Sequence, residues 1–442
     1  VVDGGRRARM GLELAKDNLN LSFSGELTHE TIEKVFASFP MKGSSLRGDI
    51  VLSAALTKPI TVSARGRLDG SNVAIPVGAQ KRAVFERFRI EASGQAVQVR
   101  SADLLWGKSR LALSGAVTGT EDLLRVDMDV AGDQLDWEEL QNYFGAASKQ
   151  GMKDSGRMVS VPNVEGIVRL KTERFMIDRF NVSPLEATVA ISPSGIRTQL
   201  ARGVVCGIDA KGRIDIIETN IALDLALSAM DAQLEPTTIC LTNQQSDIKG
   251  TYSLTARVEG RGDRDRLRSV LKGSFELNAR DGEFVRAAGL DAAFDYLNGT
   301  GDFAVNFPDL NKQSFPYRLL AAKGKLDGER VFIDEVVIEA SPLTVTSQGS
   351  VDFQGQHIDL KGLVSVALPA HQVIKRIPIV GAIVGGSLVG IPVRVNGPLA
   401  RPKVTYLSPA DVGMELLSVP MRILGAPLEA IKLFAPSGDG RD

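Results

Sequence analysis

The run Leu124-Arg125-Val126-Asp127-Met128-Asp129-Val130 alternates apolar and charged residues without a break. Successive side chains of a strand point to opposite faces, so Leu124, Val126, Met128 and Val130 share one sheet face and the charges share the other. The same period recurs along the chain. Ile221, Leu223, Leu225 and Leu227 alternate with Ala222, Asp224 and Ala226, and Ile358, Leu360, Val364 and Val366 share one parity. Further runs are Leu111 to Val117, Val164 to Leu170 (which includes Val168 and Leu170), Leu254 to Val258, Phe275 to Ala279 and Phe303 to Phe307. Between them lie short turn signals: Leu68-Asp-Gly-Ser71, Ser192-Pro-Ser-Gly195, Asp281-Gly282, Leu326-Asp-Gly-Glu329 and Gln354-Gly-Gln356. Such Gly-containing links suit hairpins, which predicts about 20 to 24 antiparallel strands. The fold class expected is mainly β: a long, curved, antiparallel meandering sheet forming a hydrophobic groove, with short amphipathic helices inserted and at the C-terminus.

Helical spacing interrupts the meander at Ile32/Val35/Phe36/Phe39, at Trp137/Leu140/Phe144, at Leu267/Val270/Leu271 and at Leu290/Ala293/Phe294/Leu297. No period holds over 146–163, which is the best linker candidate and sets a soft boundary: 1–155 as a β-groove segment and 156–442 as a C-terminal region. From Ile377 to Val393 the chain carries no charge, yet Pro378 and Pro392 shorten any helix below a membrane span. That segment is expected as a groove-capping turn and short helix. Ser408 and Pro409 open a terminal helix, and the tail around Met421 to Phe434 is apolar enough to dock on the sheet, a partner or a membrane surface.

Composition narrows the chemistry. Lys plus Arg number 52 against 53 for Asp plus Glu, a net charge of -1, so a basic nucleic-acid surface is not indicated. Aromatic residues are 5% of the chain, too few for stacking platforms. The three histidines, His29, His357 and His371, stand in unrelated contexts, and with two cysteines besides no metal site or cofactor is expected. Asp127 and Asp129 lie on the polar side of a strand rather than as a carboxylate pair in a cleft. Arg261-Gly-Asp263 precedes a short helix, where Asp263 or Asp265 can cap backbone amides. No phosphate-binding loop, nucleophile elbow or zinc-protease helix occurs, and the chain reads as a non-enzyme. Cys206 and Cys240 would be two buried thiols in a reducing compartment; in an oxidising one they could bridge, stabilising by about 4 kcal/mol on the chain-entropy account.

The C-terminal part carries a more specific signal. Asn278-Ala-Arg-Asp-Gly-Glu-Phe-Val-Arg, Ala287-Ala-Gly-Leu, Asp295-Tyr-Leu-Asn, Gly349-Ser-Val-Asp-Phe, Ile377-Pro-Ile-Val-Gly and Ile391-Pro-Val-Arg-Val-Asn-Gly-Pro-Leu-Ala-Arg-Pro-Lys-Val, in this order, resemble the ending of the bacterial AsmA-like family. The resemblance covers residues 160–442; residues 1–150 share the meandering pattern alone. With its TamB-type and YhdP-type relatives, that family is similar in build to bridge-like lipid transfer proteins. The resemblance implies a hydrophobic groove anchored in the inner membrane, projecting into the periplasm and moving phospholipid towards the outer membrane. It also implies an oxidising compartment, which favours the Cys206 to Cys240 bridge. The family's N-terminal anchor is not among these residues; Val1 is no initiator methionine, and a mature piece or fragment is expected.

The expected function is therefore that of a periplasmic, inner-membrane-associated lipid-transfer protein whose partners are phospholipid and membrane, not nucleic acid. Its groove walls are Leu124, Val126, Met128, Val130, Val168, Leu170, Leu223, Leu225, Leu227, Ile358, Leu360, Val364 and Val366. The rival is an interaction protein that assists outer-membrane protein assembly through edge strands or its C-terminal tail.

Overall fold

A computed structural model describes residues 2–3, 6–35, 43–55, 61–77, 81–120, 123–139, 163–285, 314–341, 343–367, 388–399 and 402–407. These residues form 22 strands and three short helices, with one more helical turn at 137–139. Contacts divide the chain into two compact units, Val1–Leu225 and Ala226–Asp442, with strand β14 (Asn220–Gln233) lying across the division.

The first unit runs β1 (Val2–Asp3), β2 (Arg6–Ala15), β3 (Asn18–Thr28), α1 (His29–Val35), β4 (Ser45–Ala55), β5 (Thr61–Val77), β6 (Lys81–Gly94), β7 (Ala96–Trp106), β8 (Ser109–Gly119), β9 (Leu123–Asp136), β10 (Asn163–Ile177), β11 (Phe180–Ser192), β12 (Gly195–Val205) and β13 (Ile208–Ile217). From β1 to β9, and again from β10 to β13, each strand pairs antiparallel with its neighbour in sequence. The exception is the middle pair. β9 and β10 run parallel, with Val126 beside Gly166, Met128 beside Val168 and Val130 beside Leu170. Parallel neighbours cannot be joined by a tight turn, because the chain must return to the end at which it started. The described start of that connection is the helical turn 137–139, whose backbone amides at Glu138 and Glu139 donate to the Asp136 carboxylate at 2.8 and 3.3 Å, while 140–162, with most of the expected linker, lie outside the described residues.

The second unit contains α2 (Leu234–Thr242), β15 (Ile248–Asp263), α3 (Leu267–Val270), β16 (Lys272–Phe284), β17 (Phe315–Asp327), β18 (Arg330–Ala340), β19 (Leu343–Asp352), β20 (His357–Ala367), β21 (Leu388–Pro398) and β22 (Lys403–Tyr406). β15 to β22 pair in sequence order, all antiparallel. A packed core sits at one end of these strands, where Leu234 of α2 joins Tyr252, Ala279, Phe284, Phe315, Tyr317, Leu343, Val345 and Val364. The polar tips of its two tyrosines are satisfied: Tyr252 donates to Thr237 Oγ1 at 3.1 Å, and Tyr317 donates to the Lys249 carbonyl at 2.6 Å. Burial pushes the Tyr317 phenol up to about 12, so it remains a donor at any physiological pH.

Several local expectations are revised. Leu68 to Ser71 forms no turn: β5 runs through it, with Asn72 at a φ of 50° inside the strand. Asp281-Gly282 is a β-bulge in β16, where the register shifts between Lys249 and Thr251 and Asp281 has a φ of 51°. A residue in the left-handed region serves a bulge as readily as a hairpin, which is why the two signals look alike in sequence. The Ser192–Gly195, Gly328 and Gln354–Gln356 signals do connect neighbouring strands. α3 begins after Arg266, whose own side chain makes no cap, while the Arg266 amide donates to the Asp263 carbonyl at 2.9 Å. Of the uncharged segment 377–393, residues 388–393 belong to β21 rather than to a turn or helix. The expected helices around Leu290 to Leu297 and beyond Ser408, the expected strand at Phe303 to Phe307, and Leu140, Phe144 and His371 lie outside the described residues.

Candidate functional site: the apolar face of the sheet

In register-paired strands, directly opposed residues share a face. Tracing such pairs across the first unit gives one continuous row: Met10, Phe23, Ile50, Gly66, Ala92, Val97, Val117, Val126, Gly166, Ile191, Ile196 and Ile216. A second row beside it runs Gly48, Leu68, Ile90, Val99, Gly115, Met128, Val168, Val189, Thr198 and Ile214. Every member of the first row is aliphatic, aromatic or glycine. At ~4.8 Å per strand the first row is about 50 Å long, measured over the sheet surface from β2 to β13.

Alanines report how sheltered each face is, because their side chains are too short to reach out of any crowding. On the apolar face Ala64, Ala92, Ala102 and Ala187 are 9%, 7%, 4% and 7% exposed. Ala112, Ala131 and Ala201, which point the other way, are exposed. The larger side chains of the apolar face are sheltered but not covered: Val97, Val117, Val126, Met128, Val168 and Val189 are all half-buried. Among the described elements of this unit the helix that packs on the sheet is α1, against β3, where Ile32 closes over Leu27 and Ala8. The close backbone contacts of β5 to β13 are mainly with their neighbours in the sheet.

The structure brings Leu124, Val126, Met128, Val130, Val168 and Leu170 together on that face, since the parallel pairing of β9 and β10 sets them side by side. Leu223 and Leu225 are half-buried on β14, and the missing side chain of Gly212 leaves room for the Leu225 backbone. Leu227, in the second unit, is also half-buried. Ile358 and Leu360 lie half-buried on β20, opposite Val351 and Gly349. Val364 is different: at 2% exposure it belongs to the packed core and presents no open wall. Val366 pairs through its backbone with Leu343 and Val389.

Sequence reading missed Phe23, Ile50, Val97, Val117, Ile191 and Ile196 as members of the same surface. Ile191 and Ile196 flank the Ser192–Gly195 turn symmetrically, which is a usable sign that they face each other across a hairpin. It also missed a second buried face in the other unit. Val337, Thr346, Leu363 and Pro392 oppose one another across β18 to β21 and are all buried, although they point away from Val345 and Val364. The adjacent apolar pair Leu363-Val364 is the sign of burial on both faces.

The reverse face of the first unit is a ladder of cross-strand ion pairs. Arg125 reaches Glu165 at 2.6 Å, Lys171 reaches Glu186 at 2.9 Å and Arg100 reaches Glu91 at 2.7 Å. Arg169 bridges Asp127 and Asp129, each at 2.6 Å, so the two carboxylates are strand-face partners of one guanidinium and not an acid–base pair. Arg169 holds the Asp129 carboxyl below its ordinary range, and Arg100 does the same for Glu91. In the second unit Arg330 lowers Asp352 and Arg394 lowers Asp359. Carboxyls held low in the folded state contribute stability above the unfolded value of about pH 4 and lose it as pH falls through the folded one. Thermal melting is therefore expected to hold steady in this respect from neutrality down to about pH 5 and to fall below about pH 4. Salt should weaken the acid effect, because these pairs are exposed.

Both cysteines are disulfide-bonded and none is free. Cys206 occupies the turn after β12 with a φ of 53°, and Cys240 is exposed on α2. Protein unfolded in denaturant without reductant is expected to give no thiol on alkylation; one or two reactive thiols per chain would contradict the bonding. Among the described residues no cluster of His, Cys, Asp or Glu could hold a metal ion, and no helix is long and apolar enough to cross a membrane. No protein-family model, curated protein or solved structure matches this chain.

Proposed function

We propose that the protein binds phospholipid and conducts it, with acyl chains lying along the apolar face of residues 1–225 and headgroups towards water. The observation that carries this reading is the row from Met10 to Ile216, unbroken over twelve strands and half-buried through its middle. Each CH₂ laid on such a surface contributes ~0.8 kcal/mol, so an acyl chain is an effective cover for it. The row is longer than the ~15 Å depth of one leaflet's hydrocarbon, and it offers no fixed polar pocket at which a lipid would stop. The reverse face, dense with paired charges, stays in water. Membership of the AsmA-like family, a periplasmic site and attachment to the inner membrane form part of the same proposal, supported by the C-terminal motifs and the bonded cysteines.

The rival role in outer-membrane protein assembly draws support from the filled core of the second unit. Native mass spectrometry of protein released from membranes separates the two. Copurifying phospholipid, more than one molecule per chain, is the expected result for conduction; a lipid-free protein that captures unfolded outer-membrane strands would establish the rival.

A further inference from the structure

Burial on the apolar face is graded along the strands from β8 to β13. The row through Val117, Val126, Ile191, Ile196 and Ile216 is half-buried, with Ile196 the most open at 39% exposed. Six residues further along β8 to β11, a second register-paired row crosses the same strands: Leu111, Gly132, Thr172, Leu185, Gly203 and Ala210. Its members other than Gly132 are buried, Thr172 to 2% and Leu185 to 8%. The one hydroxyl in it is satisfied internally, because Thr172 Oγ1 donates to the Arg174 carbonyl at 2.9 Å. This row therefore offers a ligand apolar contact and no polar partner. The opposite ends of the strands are polar at their tips. The turns after β8, β11 and β13 carry Thr120, Ser192, Ser194, Glu218 and Thr219, all exposed.

We propose that each phospholipid lies parallel to the strands, its acyl ends against the Leu111–Ala210 row and its headgroup over the turns beyond Val117, Ile191 and Ile216. Movement is then sideways, from strand to strand, with the headgroup kept at one edge of the sheet. This orientation rests on the lipid reading above and adds a direction to it. Six residues of strand span about 20 Å, against ~15 Å for the hydrocarbon of one leaflet, so the distance suits one acyl chain together with its ester region. The reverse orientation would press a charged phosphate on buried aliphatic side chains, where it would lose hydration and gain no partner.

The two tryptophans of the chain report on this directly, since both stand at the buried end: Trp106 pairs with Ser109 of β8, and Trp137 follows β9. The parent protein is loaded with phosphatidylcholine brominated near its acyl ends, or with phosphatidylcholine bearing a nitroxide on its headgroup. Native mass spectrometry counts the lipid bound in each case. The brominated lipid is expected to remove a large part of the tryptophan emission, and the headgroup label little of it. In a chain with Trp106→Phe, Trp137→Phe and Ile196→Trp together, the order should reverse. The parent protein decides alone where that variant takes up no lipid. Bound lipid that quenches the parent equally with both probes, or more with the headgroup label, overturns the orientation and leaves lipid binding standing. A parent protein that takes up neither lipid overturns both.

Discussion

Val126→Asp is expected to cut copurifying phospholipid by at least about tenfold, because passing an acyl chain over an ionised carboxylate forfeits several kcal/mol and each 1.4 kcal/mol is a factor of ten. Val126 lies mid-row between Val117 and Gly166, so a lipid moving along the face has no path that avoids it at the same level of the strands. The side chain is half-buried rather than part of a closed core, so the fold should survive. Thr118→Asp is the matched control: Thr118 pairs with Arg125 on the reverse face, and its lipid content should equal that of the parent. Equal lipid loading in both variants would remove the apolar row from the mechanism.

Gly166→Val should be the most destabilising single change in the first unit, by about 3 kcal/mol or more in urea unfolding. Gly166 has a φ of 145°, a region that a residue with a Cβ rarely enters, and an added Cβ would drive into the Val126 backbone carbonyl. It sits on the parallel pair, so the damage falls where the two antiparallel runs join. Gly119→Ala provides the contrast. Its added Cβ would meet only Leu124 Cδ1 at 3.9 Å, an ordinary contact, and a change within about 0.5 kcal/mol is expected. Similar losses in the two variants would mean that strand entropy, not backbone geometry, sets the cost.

The alternation in Leu124 to Val130 made the two faces legible, because a side-chain period of two leaves little choice once one face is apolar. It could not reveal the parallel step. Strand direction is decided by the connection, and neither the helical spacing at Trp137/Leu140/Phe144 nor the aperiodic 146–163 says where the chain returns. The length of that segment was the available sign, since antiparallel neighbours need only a few residues. Pro392 shows how local the rule for proline is: lacking an N–H, it suits a strand only where a neighbour's ladder does not need one. The structure accommodates it where the ladder to β22 has ended, as that pairing runs only from Val393 to Asn396, and the Pro392 carbonyl still accepts from Leu407 at 3.1 Å. The candidate surface was half legible. Within a strand its members could be named, but which strands stood together depended on register, and Val364, correct in parity, was drawn into a closed core by α2 and the aromatic cluster around Tyr252.

Because strands on either side of the parallel step pair only with their neighbours in sequence, the first unit can change length by a simple rule. A hairpin inserted at any turn would add two strands, about 10 Å of row, and leave the facing of every other side chain as it was. Span is thus set by counting hairpins, so that related chains could be matched to gaps of different width by duplication or loss of a segment of some twenty-five residues rather than by a new fold.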